Sequence, residues 1–192
     1  MTHWIKCFCY MPFSKLFNTV AFKIKEQENS QWLQVQERNK QQPFDTTQIK
    51  EETSKLTGVN LLTYINKYWN SKPYRKDSLA TKYKDVWSTP YEFNKYGGDC
   101  EDYSIAKYFT LRDLGIDAED MRIVIIKDSI KGFVHAILAV NLNGEIYILD
   151  NLKNNVFIQD SFSSYVPQYS MNEKNRYVHL VPIEKESKKK KK

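Results

Sequence analysis

The chain is short of most residues that would take it outside the ordinary folded domains. Its 192 residues include only six glycines and six prolines, which excludes a collagen-like or linker-type chain. Long apolar runs are missing and the mean hydropathy is −0.62, so no transmembrane helix is expected. Three cysteines, Cys7, Cys9 and Cys100, make no disulfide framework. Cys7-x-Cys9 has no second ligand pair and is a poor zinc site. Positive charge is also scarcer than it looks. Of the net +6, five charges are the terminal run Lys188 to Lys192, and without them the chain carries +1. A nucleic-acid binder needs its charge on a folded face, so no nucleic acid is expected as a partner. Histidine is equally sparse, with only His3, His135 and His179 to supply an imidazole.

What remains, 41% hydrophobic and 14% aromatic, suits one domain with a real core. We expect a leader over 1–29, a folded domain over 30–183 and a disordered Lys-rich tail over 184–192. The leader has an early Lys6, but Pro12 and Ser14 interrupt its apolar stretch and no A-x-A site follows. It reads as a weak or degraded export signal, or else as a short amphipathic segment.

Trp32, Leu33 and Val35 mark a short helix, and Val59, Leu62, Ile65 and Trp69 fall at helical spacing over roughly 50–70. Thr89-Pro90-Tyr91-Glu92 combines an N-cap, a proline at the first helical position and a glutamate three residues after the cap. Gly97-Gly98 stops that helix, and Asp99 caps another that starts with Cys100 and runs to Gly115. Strands follow at 121–127, 133–140 and 145–150, the last two flanking the hairpin signal Asn143-Gly144, with a further candidate at 156–159. Helices first and an antiparallel meander afterwards predict an α+β fold.

Residues 97–108, GGDCEDYSIAKY, put a cysteine among acids at a helix start. The helix dipole and free N–H groups there favour a thiolate, so the Cys100 pKa should fall. A cysteine nucleophile needs a base, and the base an orienting partner. A lone histidine inside an apolar strand is usually a core residue. The hairpin makes His135 more interesting, because a turn centred on Asn143-Gly144 sets Ile137 opposite Asp150 and Leu152 opposite His135. His135 and Asp150 then become diagonal neighbours on one face, with Cα atoms ~7–8 Å apart. The only other acid of the two strands, Glu145, lies far from His135 in this register. A helix tip docked on that face would complete a Cys100–His135–Asp150 triad, with Asn151 the next residue to consider as orienter. The Cys100 backbone N–H is a natural oxyanion donor, with Trp87 and Tyr83 as candidates for a second. Asp99, Glu101 and Asp102 could either bind a hard cation such as Ca²⁺ or serve as favourable acids in a first helical turn.

Several words of the sequence resemble the bacterial transglutaminase-like cysteine peptidases. They are Trp87-x-Thr89-Pro90-x-Glu92-Phe93, Gly98-Asp99-Cys100-Glu101-Asp102-Tyr103 with Ala106-Lys107-Tyr108, His135-Ala136-x-Leu138, Leu149-Asp150-Asn151, and Tyr165-x-Pro167-x-Tyr169-Ser170-x-Asn172. The resemblance covers roughly residues 30–180. It implies a papain-like core of N-terminal helices on an antiparallel sheet, with Cys100 as nucleophile, His135 as base and Asp150 as orienter. It also implies calcium at Asp99, Glu101 and Asp102. Known members are periplasmic, cleave a large surface adhesin near its N-terminus to release biofilm cells, and are sequestered by an inner-membrane cyclic-di-GMP receptor. Two rival readings use the same fold: transglutaminase-type transfer to a lysine amine, and a non-catalytic binding module.

Overall fold

The computed structural model describes residues 13, 15–25, 30–76 and 86–182. Two short strands open it, β1 (Lys15–Leu16) and β2 (Thr19–Ile24). Then come five helices: α1 (Gln31–Gln41), α2 (Thr47–Thr53), α3 (Gly58–Asn70), α4 (Pro90–Tyr96) and α5 (Cys100–Asp113). Six strands complete the fold: β3 (Met121–Asp128), β4 (Val134–Leu142), β5 (Glu145–Asp150), β6 (Lys153–Ile158), β7 (Tyr165–Met171) and β8 (Arg176–Leu180). They form one antiparallel sheet in the order β1-β2-β8-β7-β3-β4-β5-β6. The fold is α+β, with the apolar strand β3 well inside the sheet.

Two departures from the sequence reading have simple causes. The helix expected over 50–70 is two helices: α2 ends at Thr53, Thr57 is extended (φ −136°, ψ 164°), and Gly58, at φ 54°, opens α3. Part of the stretch read as a leader is sheet: β2 pairs with β8 from Val20↔Leu180 to Ile24↔Arg176. Its hairpin turns through Phe17 and Asn18, both at positive φ, which no glycine announces in the sequence. The Lys-rich tail lies outside the described residues.

The inner strands β3, β4 and β5 are buried on both faces. On one, Trp32, Leu62, Ile65, Trp69, Phe93, Ile105, Ala106 and Tyr108 from the helices pack with Ile123, Ile125, Ala136, Leu138, Val140 and Leu149. Buried tryptophans keep their N–H groups bonded: Trp32 donates to the Asn172 carbonyl (2.8 Å) and Trp69 to the Thr110 hydroxyl (3.0 Å). On the other face, Val124, Ile126, Ile137, Ala139, Ile146 and Ile148 pack with Phe13, Leu16, Phe162 and Tyr165. Strand alternation explains the division, since neighbouring residues point to opposite faces.

The Asn143-Gly144 turn has the register the sequence predicts, pairing Leu142↔Glu145 through Leu138↔Leu149 without a bulge. Both turn residues have positive φ, 53° and 95°, as a two-residue hairpin of the primed type demands.

Candidate active site

The tight entry to α5 depends on two glycines. Gly97 has φ 74°, and a Cβ there would lie 2.5 Å from the Pro73 carbonyl oxygen. A Cβ on Gly98 would sit 2.0 Å from Asp102 Oδ2. The three acids around Cys100 therefore differ in surroundings. Asp102 is buried, and its carboxylate accepts the Ser88 N–H (2.6 Å) and the Asp99 N–H (3.1 Å). It ties the helix start to the chain that precedes α4, and it stands outside the group the other two acids form. Ligand atoms of Asp99, Cys100 and Glu101 all lie within 4.8 Å of one another.

Cys100 is half-buried at the tip of α5. Its thiol donates to Glu101 Oε2 at 2.9 Å, and the Ala136 N–H of β4 points at the sulfur. The helix position alone predicts a depressed thiol pKa, but the balance of the surroundings goes the other way. Burial pushes the thiol well up, the Glu101 charge and hydrogen bond add to it, and the Ala136 N–H offsets only part.

His135, the second residue of β4, is buried, and its Nε2 lies 2.8 Å from Asp150 Oδ1. With the Nε2 proton on that bond, Nδ1 is the basic nitrogen of the neutral ring. Asp150 has no solvent-exposed surface. Its Oδ1 also accepts the Leu152 N–H (2.9 Å), and its Oδ2 accepts the Tyr165 hydroxyl (2.7 Å). Burial alone would raise the Asp150 pKa. The hydrogen bond and charge of His135, with the other two donors, outweigh that and hold it below the ordinary carboxylate value. Asn151 is no orienter here, since its buried Oδ1 has no hydrogen-bond partner. Lys107, one further buried group, has its pKa lowered to about 7 by burial, against the attraction of Asp150.

Cys100 and His135 line one open cleft of ≈ 380 Å³, together with Asp99, Glu101 and Trp87. Its strand wall is Val134, His135 and Ala136 of β4 with Ile125 of β3 and Tyr169 of β7. The cleft therefore lies where β4 begins, beside the paired strands β3 and β7. The sequence reading had α5 docked on the His135–Asp150 face. Instead α5 packs with Ala136, Leu138 and Val140, and the helix tip shares only the cleft with His135. Trp87 is held from α1, where Arg38 donates to its carbonyl and pairs with Glu92. The other oxyanion candidate, Tyr83, and His3, Cys7 and Cys9 lie outside the described residues.

A thiol at a helix tip and an imidazole–carboxylate pair bordering one cleft define the class of papain-like thiol enzymes. Residues 23–185 match the bacterial transglutaminase-like cysteine proteinase (BTLCP) model, and the chain belongs to that family; it is a cysteine protease. Calcium-bound LapG of Legionella pneumophila is similar in structure, with TM-score 0.60 and 26% sequence identity over 76% of this chain and 86% of that one. The EGTA-treated form of the same protein gives TM-score 0.59 and 26% identity, covering 76% and 84%. No curated protein sequence gives a significant match.

Proposed function

We propose that the chain is a calcium-dependent cysteine endopeptidase working through Cys100, His135 and Asp150. The observation that carries the reading is the 2.8 Å His135–Asp150 pair on the cleft that Cys100 also lines. In the acylation step His135 Nδ1 takes the thiol proton and the sulfur attacks the carbonyl carbon of the scissile peptide. The C–N bond breaks, and His135 returns the proton to the leaving amine. Water, deprotonated by the same nitrogen, then cleaves the thioester and restores the thiol. As the first residue of α5, Cys100 has no intrahelical acceptor for its backbone N–H, which makes that group an oxyanion donor. The indole N–H of Trp87, on the cleft wall, is the candidate for a second.

Asp99 and Glu101 suit a hard cation: two carboxylates converge at the cleft rim, and main-chain carbonyls and water would complete the coordination. Calcium held there would neutralise the charges that oppose a Cys100 thiolate. Asp102 supports the site by holding the helix start to Ser88. The family resemblance points to a periplasmic enzyme that cleaves a large surface adhesin near its N-terminus and is sequestered by an inner-membrane cyclic-di-GMP receptor. Among the described residues no helix is long and apolar enough to cross a membrane.

The test is incubation of the purified chain with candidate surface proteins, in calcium or chelator. The wild type in calcium should generate new N-termini, and Cys100→Ser should generate none. Glutamine–lysine crosslinks in their place would make the enzyme a transferase, and cleavage by Cys100→Ser would remove the thiol mechanism.

A further inference from the structure

We propose that Tyr165 is a positioning residue for the reaction: its hydroxyl fixes the Asp150 carboxylate and, through it, the His135 ring. This rests on the triad reading above. A carboxylate at the end of a short side chain can rotate about its last bond unless both oxygens are held. Asp150 Oδ1 is shared between His135 and the Leu152 N–H, and those two bonds alone leave Oδ2 without a donor. Tyr165 reaches it from β7 at 2.7 Å, in a charge-assisted bond. Asp150 is fully buried, so bulk water cannot replace that hydroxyl. Burial and the neighbouring Asp150 charge push the Tyr165 pKa up, which keeps the phenol protonated and donating at working pH.

The ring of Tyr165 is itself held in place. Phe162 lies 4.9 Å from it and Phe17, edge-on, 6.0 Å from it between ring centroids. Phe17 belongs to the turn of the N-terminal hairpin, where its N–H donates to Gln159 Oε1 at 2.9 Å. Tyr165 also meets the His135 ring edge-on at 6.5 Å, so one side chain bears on both members of the pair. The turn between β1 and β2, far from the cleft in sequence, thus backs the residue that orients the base.

The test is a double-mutant cycle of Tyr165→Phe with Asp150→Asn, in calcium, with site-resolved iodoacetamide alkylation of Cys100. The His135 imidazole is followed alongside in ¹⁵N-histidine-labelled protein. Tyr165→Phe keeps the ring and removes only the hydroxyl. It should slow alkylation on the order of tenfold, the scale at which groups supporting a reactive ligand act. It should also shift the His135 Nε2–H resonance and leave the ring resonances of His179 in place. In the Asp150→Asn background it should cause no further slowing, because the path is already cut. Phe17→Ala keeps the hydroxyl and removes one ring support, and should give a smaller change of the same sign. Wild-type alkylation and an unmoved His135 signal in both variants would overturn the proposal. So would effects of Tyr165→Phe and Asp150→Asn that simply multiply. If Asp150→Asn itself changes neither readout, the triad reading falls and takes this role with it; a failure confined to Tyr165 leaves the Asp150→Asn effect standing.

Discussion

Two histidines in one antiparallel sheet, 4% and 7% exposed, share burial and hydrogen bonding yet have different prospects. His135 pairs with a carboxylate through Nε2 and borders the cleft. His179, on β8, has both ring nitrogens closed. The Thr19 hydroxyl donates to the Leu16 carbonyl (2.6 Å), so it accepts from His179 Nδ1 at 3.1 Å, and the Ser170 hydroxyl lies 2.8 Å from Nε2. A serine beside an imidazole has the outline of a nucleophile and its base. Ser170 is fully buried, however, and neither partner of the ring is a carboxylate. The proposed base differs from the structural ring in bordering a cleft and in having a charge behind it. The electrostatics agree, because burial, helped by the positive charge of Arg122, lowers the His179 pKa to about 4 and keeps the ring neutral.

Substitution of the carboxylate should widen that contrast most. Asp150→Asn should fold and lose activity by a factor approaching ~10⁴, by analogy with serine-protease triads. His179→Gln should leave turnover near the wild-type rate, and an equal loss in both would erase the distinction.

Acid should act through the other histidine. His179 titrates near its ordinary value of 6.5 when unfolded and at about 4 when folded. Between those values the unfolded chain binds the extra proton, so stability falls as pH drops from about 6.5 towards 4, by up to about 3 kcal/mol. Denaturant midpoints across that range should therefore slope more steeply in the wild type than in His179→Gln; parallel curves would mean that the ring carries no such linkage. Calcium is expected to have a slightly smaller effect, confined to the cleft. At ~100 times its dissociation constant it should add about 2.7 kcal/mol, or several degrees in melting temperature. Glu101→Ala should abolish that gain while His179→Gln keeps it, and identical melting with calcium and with chelator would reduce the acids to helix caps.

The His135 side of the contrast was readable from the sequence because its cues are local. Asn143-Gly144 fixed a hairpin register, and the register brought His135 to Asp150. Thr89-Pro90 and the Gly-Gly-Asp step placed the starts of α4 and α5 for the same reason. The surroundings of His179 were not readable, because its two partners come from two other strands, Thr19 on β2 far back in the sequence and Ser170 on β7. Tyr165 was noted only within the family words, because its bond to Asp150 depends on the sheet order that sets β7 beside β3, with β3 and β4 between it and β5. The raised Cys100 thiol pKa was missed because the sequence showed the helix dipole but neither the burial of the sulfur nor the Glu101 side chain folding back onto it.

The most direct test of the central claim, that His135 and not His179 serves the thiol, is the alkylation rate of Cys100 by iodoacetamide at neutral pH in saturating calcium. Site-resolved mass spectrometry separates Cys100 from Cys7 and Cys9. The account predicts that His135→Ala slows labelling of Cys100 at least tenfold, the low end of general-base contributions, and that His179→Gln leaves it unchanged. Equal rates in all three proteins, or slowing by His179→Gln alone, would contradict it.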